Sequence, residues 1–425
     1  MNAPDVVDVV ALGESMVTFL PSRPGRLADV PSFDRAIGGA ESNVACGLAA
    51  AGHAVRWVSR VGADGFGDHL VETIGAYGVD TSAVGRDASR PTGVYFRTAG
   101  DRATDAHEVA YYRAGSAASA MSAANLDLSV VRAARVLHLS GITAALSSEC
   151  LELLRELTAP AADRPLVSFD VNHRAGLWRD ADGPRVLLEL ARRADLVFVG
   201  EDEAEAAWGV TGGPSAIRAV LPEPGVLVVK QGGLGATAFV SSAGRWGQGA
   251  APCGGAAHRH GPAPLAAVTG PGSQDDGPSP DHSQPADSRP FALTPGGRAV
   301  RGGSRSAQGG SPQTRASDTR PRPATAPGVF VPALAVDVVA TTGAGDAFAA
   351  GFLSATLREL PLKTRLRHGH LWAAAALTSP GDLATPPDRD TTDRLAALGD
   401  DTWGTLRLGP GRTQADRAPE EVRTP

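Results

Sequence analysis

Apolar runs of strand length alternate with segments of helical pattern along most of the chain. The pattern predicts strands at 5–12, 56–61, 166–170, 196–199 and 226–230, and helices at 41–51, 346–357 and 370–378. Strands that alternate with helices are typical of a parallel sheet covered on both faces. We therefore predict an α/β fold in which helices flank a mostly parallel sheet.

Two segments, 92–98 and 108–113, do not fit this order. Each alternates polar and apolar residues, and together they carry three of the four Tyr in the chain. We predict that they belong to a small β-sheet lid, with lid strands around 14–36 and 92–113. The exposed edge of such a sheet can pair with a second subunit, so a homo-oligomer formed through the lid strands is expected.

One long stretch has a different composition. Residues 249–328 hold 13 Pro and 14 Gly among 80 residues, and only five Val, Ile, Leu, Met or Phe. Such a segment cannot bury enough apolar surface to offset the entropy lost on ordering. We predict a disordered Pro/Gly/Arg-rich insertion at 249–328, a loose tail at 410–425, and one large domain over 5–400.

Charge and cysteine content exclude several classes of protein. The chain has 40 Lys and Arg against 46 Asp and Glu, a net charge of -6, which disfavours a dedicated nucleic-acid binder. No apolar run approaches the ~20 residues that cross a bilayer. The three cysteines, Cys46, Cys150 and Cys253, form no C-x-x-C motif, so free thiols and a cytoplasmic location are expected.

The strongest chemical signal is Thr-Thr-Gly-Ala-Gly-Asp-Ala-Phe at 341–348, which opens a predicted helix. The backbone N–H groups of Gly343, Ala344 and Gly345 would form an anion site at the positive end of the helix dipole. A carboxylate beside that site, at Asp346, is suited to accept a proton from an attacking hydroxyl. The alternative is a glycine loop in which Asp346 only caps the helix.

Two further segments could hold a polar ligand. Gly38 and Gly39 allow close approach of the backbone before a helix, and Asn43 offers both a donor and an acceptor to a sugar hydroxyl. The segment 168–174 follows a buried strand, where ligands of open α/β sheets bind, and its Arg174 suits an anionic group. A polar-capped glycine turn and a surface salt-bridge loop are the respective alternatives.

The remaining signals are weaker. Val-Val-Lys-Gln-Gly-Gly-Leu-Gly at 228–235 places a glycine-rich turn after a strand, which fits either approach of a nucleotide or a hairpin. It is neither a Walker A sequence nor a dinucleotide fingerprint. Tyr95, Tyr111 and the guanidinium of Arg113 could bind a polar acid, or could simply form a half-buried strand.

In order along the chain, these segments resemble the PfkB (ribokinase-like) sugar kinase family. The resemblance rests on Gly-Gly-x-x-x-Asn at 38–43, Val-Gly-x-Asp-x-Phe-Gly at 61–67 and Thr-Gly-Ala-Gly-Asp at 342–346. The segments 111–119 and 169–178 are most similar to those of 2-keto-3-deoxygluconate kinases. The family fold is a doubly wound α/β domain with a small β lid.

The resemblance implies a role for each matching position. Asp346 matches the catalytic base, and Gly343, Ala344 and Gly345 match the anion hole. The substrate positions are Gly38, Gly39, Ala40, Glu41, Ser42, Asn43, Tyr95, Tyr111, Tyr112, Arg113 and Arg174. The ATP positions are Asn172, Lys230, Gly232, Gly233 and Gly235, and Glu203 matches a residue tied to Mg²⁺.

The sequence departs from the family at two positions. Ala340 stands where the family usually has Asp, which puts binding of a monovalent cation in doubt, and Gly200 stands where an Asn is expected. The resemblance implies an enzyme that uses ATP and Mg²⁺ to phosphorylate the terminal (6-) hydroxyl of 2-keto-3-deoxygluconate or a similar sugar acid. A kinase of a neutral sugar, of fructokinase or ribokinase type, and a non-catalytic sugar sensor are the alternatives.

Overall fold

The structure is a computed structural model that describes residues 4–23, 25–98, 108–162, 164–178, 182–241, 327–379 and 381–409. The predicted insertion at 249–328 lies outside these residues apart from Pro327 and Gly328, and the predicted tail at 410–425 lies outside them entirely. No helix in the described ranges has the length and apolar character needed to span a bilayer.

The described strands, in chain order, are β1 (Val7–Leu12), β2 (Met16–Pro21), β3 (Phe33–Gly38), β4 (Val55–Gly62), β5 (Val84–Asp87), β6 (Val94–Arg97), β7 (Val109–Tyr112), β8 (Ala134–Ser140), β9 (Leu166–Asp170), β10 (Leu196–Gly200), β11 (Val226–Lys230), β12 (Gly235–Val240), β13 (Val329–Pro332), β14 (Ala335–Val336) and β15 (Arg407–Leu408). The helices are α1 (Ala40–Ala50), α2 (Gly65–Ala76), α3 (Leu128–Arg132), α4 (Gly141–Ala144), α5 (Ser148–Thr158), α6 (Gly183–Arg193), α7 (Glu201–Trp208), α8 (Gly213–Val220), α9 (Ala344–Leu357), α10 (Leu362–Leu377), α11 (Arg389–Ala396) and α12 (Asp400–Thr405).

Nine strands form one large sheet in the order β13-β12-β11-β10-β9-β8-β1-β4-β5. Its pairs are parallel from β5 to β11, and β12 and β13 join antiparallel at one edge. This mostly parallel sheet flanked by helices confirms the predicted fold class.

Both faces of the large sheet are covered, which explains the continuous apolar runs of its strands. In β1, Val9 and Ala11 belong to a core shared with α1, α9 and α10. The alternate residues, Val10 and Leu12, belong to a second core shared with α5, α6 and α8. Successive side chains of a strand point to opposite faces, so one short run serves both cores.

A separate four-stranded sheet, here called the lid, has the order β3-β2-β6-β7. Asp64, the N-cap residue of α2, also holds the chain just before lid strand β6. The Asp64 carboxylate accepts hydrogen bonds from the amides of Phe66 and Gly67 and from the amide and hydroxyl of Thr92. One side chain thus caps α2, which follows strand β4 of the large sheet, and holds the chain just before lid strand β6.

Element boundaries differ from the sequence predictions by a few residues. The first strand begins at Val7, two residues later than predicted, and the helix predicted at 370–378 is the second half of α10. The first half of α10 was missed because basic residues and Gly369 interrupt its apolar pattern. Gly369 is buried because the ring of Phe348 packs where a side chain would lie, 2.9 Å from an ideal Cβ.

Candidate active site

The α9 helix begins at Gly343, which has a φ of 80° that disfavours any residue with a side chain. A Cβ at Gly343 would lie 1.9 Å from the backbone carbonyl oxygen of Asp382. No side chain in the described residues caps α9. The first amides of a helix have no partner within it, so the start of α9 presents unpaired donors and the positive end of the dipole. This segment, residues 342–345, is called the anion loop below.

Asp346 lies in the first turn of α9 and is half-buried. Its Oδ2 accepts a hydrogen bond from Nδ2 of Asn43 at 2.9 Å, which joins α9 to α1. Burial raises the pKa of the Asp346 carboxyl to about 8, and nearby Asp170 and Glu41 add to that, while Asn43 and Lys230 oppose it. A carboxyl with such a pKa can exchange a proton near neutral pH.

Lys230, at the end of β11, places a positive charge beside the anion loop. Its Nζ lies 3.1 and 3.0 Å from the two carboxylate oxygens of Asp170, at the end of β9. The same Nζ is 3.6 Å from the position of a Cβ on Gly345. Burial alone would lower the pKa of Lys230, but Asp170 and Glu203 outweigh it and raise the pKa. The ammonium group is therefore charged at any working pH.

The glycine-rich turn between β11 and β12 leaves its backbone open. An added Cβ would meet nothing within 4 Å at Gly232 or Gly233, whereas Gly235 packs against the carbonyl oxygen of Val331 at 2.3 Å. Two large apolar side chains are exposed at this turn, Leu234 on it and Phe330 packed against Gly235. Open backbone with exposed apolar side chains suits a flat, partly apolar ligand such as a nucleotide base.

Asn172 and Glu203 lie near Lys230, on the same side of the site. Asn172 has a φ of 39°, and its buried Oδ1 has no hydrogen-bond partner among the described residues. Glu203 accepts a hydrogen bond from the amide of Gly200 at 2.7 Å, which caps α7, and burial raises its pKa. Arg174 is 3.6 Å from Glu203 and more than half exposed, so it lies with these residues rather than with the lid.

The Gly-Gly motif at 38–39 packs directly against the lid. A Cβ on Gly38 would lie 2.2 Å from the Tyr95 hydroxyl, and one on Gly39 would lie 2.5 Å from the carbonyl oxygen of Glu14. Ala40, the first residue of α1, is half-buried. The two glycines thus allow neighbouring segments of the chain to pack closely here.

Two predicted substrate residues of this motif, Glu41 and Ser42, are fully buried. Oε1 of Glu41 accepts hydrogen bonds from the hydroxyls of Ser140 and Thr143, each at 2.7 Å. Ser42 donates to the carbonyl oxygen of Gly39 at 3.1 Å. Both side chains satisfy polar groups inside the domain, and a role for Glu41 and Ser42 in substrate binding stays a prediction.

The lid presents two Tyr to the site and one away from it. The rings of Tyr95 and Tyr111 lie 5.4 Å apart on one face, and the Tyr95 hydroxyl contacts Asp382. Tyr112 is two-thirds exposed and lies on the opposite face, where its ring meets Phe96 at 6.0 Å. Tyr112 follows Tyr111 in a strand, so the two side chains point to opposite faces, and a role for Tyr112 in substrate binding stays a prediction.

Arg113 does not stand free in the site. Its guanidinium forms an ion pair with Glu14, whose side chain is fully buried, and Glu14 also accepts a hydrogen bond from Ser116 at 2.6 Å. The ring of Tyr111 lies 5.9 Å from the guanidinium carbon. The guanidinium of Arg113 was expected to be free to bind a ligand. The carboxylate of Glu14, which the sequence did not indicate, balances its charge.

Sequence reasoning also missed Arg97 and Asp382. Arg97 lies 2.8 Å from Asp382 and donates to Thr342 of the anion loop at 3.1 Å. The scarcity of Tyr drew attention to Tyr95, but nothing in a local pattern connects β6 to partners that lie 245 and 287 residues later in the chain. Only the position of Arg97 two residues after Tyr95, and so on the same face of the strand, could have indicated it.

Oxygen donors that suit Mg²⁺ are present on the side of the site that includes Lys230. Within the described ranges there is no group of three or more His, Cys, Asp or Glu arranged to hold a metal ion. Mg²⁺ usually binds through one or two carboxylates together with waters and substrate phosphates. The unpartnered Oδ1 of Asn172 and the carboxylate of Glu203 fit that mode.

Comparison with known proteins assigns the chain to the carbohydrate kinases. The family model described as "pfkB family carbohydrate kinase" matches residues 7–252 and 326–389, and so leaves out most of the predicted insertion. The chain belongs to the pfkB family.

Among curated relatives, the chain is 36% identical to the 2-dehydro-3-deoxygluconokinase of Bacillus subtilis over 48% of this chain and 63% of the relative. It is 33% identical to that of Thermoproteus tenax, over 55% of this chain and 72% of the relative. Fructokinase-1 of Oryza sativa is 33% identical over 48% of this chain and 62% of the relative. The chain thus spans about three fifths to seven tenths of their lengths.

Solved structures have the same fold. A PfkB protein from Polaromonas is 27% identical, with a TM-score of 0.64, over 92% of this chain and all of that one. A sugar kinase of Pyrococcus horikoshii in complex with ATP is 21% identical, with a TM-score of 0.63, over 92% of this chain and 98% of that one. At that identity the second likeness concerns the fold alone.

Proposed function

We propose that this protein is an ATP-dependent kinase that phosphorylates the terminal (6-) hydroxyl of 2-keto-3-deoxygluconate or a similar sugar acid. One observation carries the proposal: the carboxyl group of Asp346 lies at the uncapped N-terminus of α9, next to the positive charge of Lys230. Two of the relatives are 2-dehydro-3-deoxygluconokinases, which supports the choice of substrate.

In the proposed reaction, Asp346 accepts the proton of the attacking hydroxyl. The amides of Gly343, Ala344 and Gly345 stabilise the charge on the transferred phosphoryl group. Lys230, whose charge is balanced by Asp170, adds ammonium N–H donors at the same place. Phosphoryl transfer needs alignment and charge stabilisation more than covalent help from the protein, and these groups supply both.

ATP would bind along the turn at 232–235, with its base near the exposed apolar side chains and its phosphates towards the anion loop. The ATP complex of the Pyrococcus sugar kinase with the same fold supports this assignment. Bound Mg²⁺ would neutralise part of the phosphate charge, and Asn172 and Glu203 would hold it. Closure of the lid over the sugar would exclude water and so limit hydrolysis of ATP.

A carboxylate on the substrate would be recognised at the lid by Arg113, with the hydroxyl groups of Tyr95 and Tyr111. A guanidinium carries five N–H donors, so the ion pair with Glu14 leaves donors for a second carboxylate. Arg174 is exposed near Glu203 and would act on the nucleotide side.

A kinase of a neutral sugar is the second candidate, and one observation favours it. Glu14 balances the charge of Arg113, so the pair is neutral and does not require an anionic substrate. The similarity to fructokinases supports the same alternative.

We further propose a cytoplasmic homo-oligomer formed through the lid. Strand β7 is an edge strand, and its Val109, Tyr111 and Tyr112 are all exposed, which favours pairing with a second copy. Cys46 and Cys150 are free and buried, as expected of a protein in a reducing compartment.

The deciding experiment measures ADP release with a panel of 2-keto-3-deoxygluconate, gluconate, fructose and ribose. The proposal expects the keto-deoxy acid to exceed the neutral sugars in kcat/KM by about tenfold or more, since a hydrogen bond to a charged group has at least that effect. Higher activity on fructose or ribose would overturn the sugar-acid assignment. No ADP with any sugar would favour a non-catalytic sensor.

A variant pair tests the role of Arg113 without leaving a buried charge. The double variant E14Q/R113Q removes both charges together, and R174M serves as the control. We expect the double variant to lose preference for the acid while keeping activity on neutral sugars, and R174M to keep the preference. Equal losses of activity on acidic and neutral sugars would show that Arg113 does not bind a carboxylate of the substrate.

A further inference from the structure

A small cavity lies behind the anion loop, between helices α1, α9 and α10. Its lining includes Gly343, Asn43 on α1, Ala347 and Ala350 on α9, and Trp372 on α10. The space open to the centre of a water molecule there is about 20 Å³. A cavity needs roughly 10–15 Å³ by that measure to hold one water, so this one has room for a single molecule.

Trp372 is wedged between α1 and α9, and its indole N–H is unpaired. An added Cβ on Gly47 of α1 would lie 3.4 Å from Cζ3 of the ring, and one on Gly351 of α9 would lie 2.9 Å from its Cγ. Trp372 is only 4% exposed, and its Nε1 has no hydrogen-bond partner in the described part of the chain. An unpaired donor in the interior is unfavourable, which favours a partner in the cavity that Trp372 lines.

Asn43 brings the complementary group to the same cavity. Its Nδ2 donates to the Asp346 carboxylate, while its buried Oδ1 has no partner among the described residues. A water molecule can accept from an indole N–H and donate to a carboxamide oxygen at once, and buried waters commonly bridge polar groups in this way. The donor of Trp372 and the acceptor of Asn43 are both neutral, so a neutral bridging molecule suits them.

The orientation of Asn43 matters because a carboxamide can turn over. Turned over, Asn43 would place Oδ1 rather than Nδ2 against Asp346, which favours the protonated carboxyl instead of the charged one. The hydrogen bonds on the far side of the amide decide between the two orientations. A donor behind Asn43 holds Oδ1 in the cavity and so keeps Nδ2 on the carboxylate.

We propose that this cavity binds one ordered water molecule, which accepts from Nε1 of Trp372 and donates to Oδ1 of Asn43. Trp372 is thus a positioning residue: through the water it keeps the amide nitrogen of Asn43 against Asp346, without itself contacting a substrate. The water is independent of the reaction, and only its kinetic effect rests on the proposed kinase function.

A crystal structure of the whole chain tests the water directly. We expect one ordered water within hydrogen-bond distance of both Nε1 of Trp372 and Oδ1 of Asn43. A cavity without water, or an indole N–H that is paired with another group of the protein, would overturn the proposal.

The pH profile of kcat/KM gives a second readout, because W372F keeps a ring, removes the donor and changes no charge. We expect the rising limb of the profile to move up by about one pH unit, since a hydrogen bond to a charged group contributes about that much. The matched control is W403F, which also removes a buried indole N–H, here one that donates to the carbonyl oxygen of Pro332, and its limb should stay in place. The charged groups near Asp346 and the cavity are the same in all three proteins: Asp170, Glu41, Lys230 and the ion pair of Asp382 with Arg97.

The double variant N43A/W372F separates a role through Asn43 from a general loss of packing. Without Asn43 there is no amide to orient, so W372F should shift the limb no further in that background. An unmoved limb in W372F, or the same shift with and without Asn43, would overturn the positioning role. If no sugar is phosphorylated, the proposed function fails, and the crystal structure decides the water by itself.

Discussion

The side-chain amide of Asn43 donates a 2.9 Å hydrogen bond to the carboxylate of Asp346. This contact joins the two glycine motifs of the chain, which are 303 residues apart in sequence. It also lowers the pKa of Asp346 and so opposes the larger effect of burial, because a donor to a carboxylate stabilises the charged form.

The first prediction concerns the pH dependence of catalysis. The pKa of Asp346 is raised to about 8, so the carboxyl is mostly protonated below that pH and cannot accept a proton. We expect kcat/KM for the sugar to rise about tenfold per pH unit below pH 8 and to level off above it. The measurement is a profile of kcat/KM from pH 6 to 9.5 at saturating ATP.

The variant N43A sharpens this prediction. Asn43 lowers the pKa of Asp346, so its removal should move the rising limb of the profile to higher pH. The control is S42A, because Ser42 neighbours Asn43 but bonds to Gly39 instead. A limb that stays in place, or moves to lower pH, in N43A would contradict the assigned contact.

The second prediction concerns stability. The Asp346 carboxyl binds its proton more tightly in the folded state, so between its unfolded pKa near 3.8 and its folded pKa of about 8 the wild type loses stability as pH rises. The variant D346N has no such proton to lose. Thermal unfolding should show D346N gaining Tm relative to the wild type at pH 8, with no gain at pH 4. An equal difference at both pH values would argue against a perturbed carboxyl.

The third prediction contrasts two glycines of the anion loop. In G343A the new methyl group would meet the Asp382 carbonyl oxygen and force a strained φ, so both Tm and activity should fall. In G345A the methyl group would lie in ordinary contact with Lys230 at 3.6 Å. That variant should keep its Tm yet lose activity where phosphate must approach. Normal activity in G345A would exclude close approach at this residue.

The fourth prediction concerns the buried ion pair below the lid. R113M leaves the buried carboxylate of Glu14 without its partner, which should cost about 3–5 kcal/mol of unfolding free energy. E14Q/R113M removes the charge as well and should recover most of that loss. Chemical denaturation of the two variants measures the difference. Equal stability of the two would mean that Glu14 is not held as an anion.

Much of the fold could be predicted because its strands are buried on both faces and therefore read as continuous apolar runs. Strands β9 and β11 occupy the predicted residues. The start of α10 could not be predicted in this way. Its basic residues include Arg367, which is buried because it donates to the carbonyl oxygen of Ala396 and stacks on Trp403, a contact that no local pattern encodes.

The candidate site could be predicted from the sequence where its geometry follows from the local chain. The glycine at 343 and the carboxyl at 346 are fixed by the start of one helix, so the motif alone indicates them. Glu14 and Asp382 were missed, because each acts through a partner far away in sequence. Conversely, Glu41 lies within a motif but serves the interior, since only the fold brings Ser140 to it.

Asp346 as the base is the central claim, and D346N tests it most directly. Asn keeps the shape of the side chain and can still accept the hydrogen bond from Asn43, but it cannot take a proton from a hydroxyl. The measurement is single-turnover formation of sugar phosphate, with sugar binding followed by calorimetry. We predict a rate about 10²–10⁴ lower than that of the wild type with unchanged sugar affinity. A rate near that of the wild type would contradict the account.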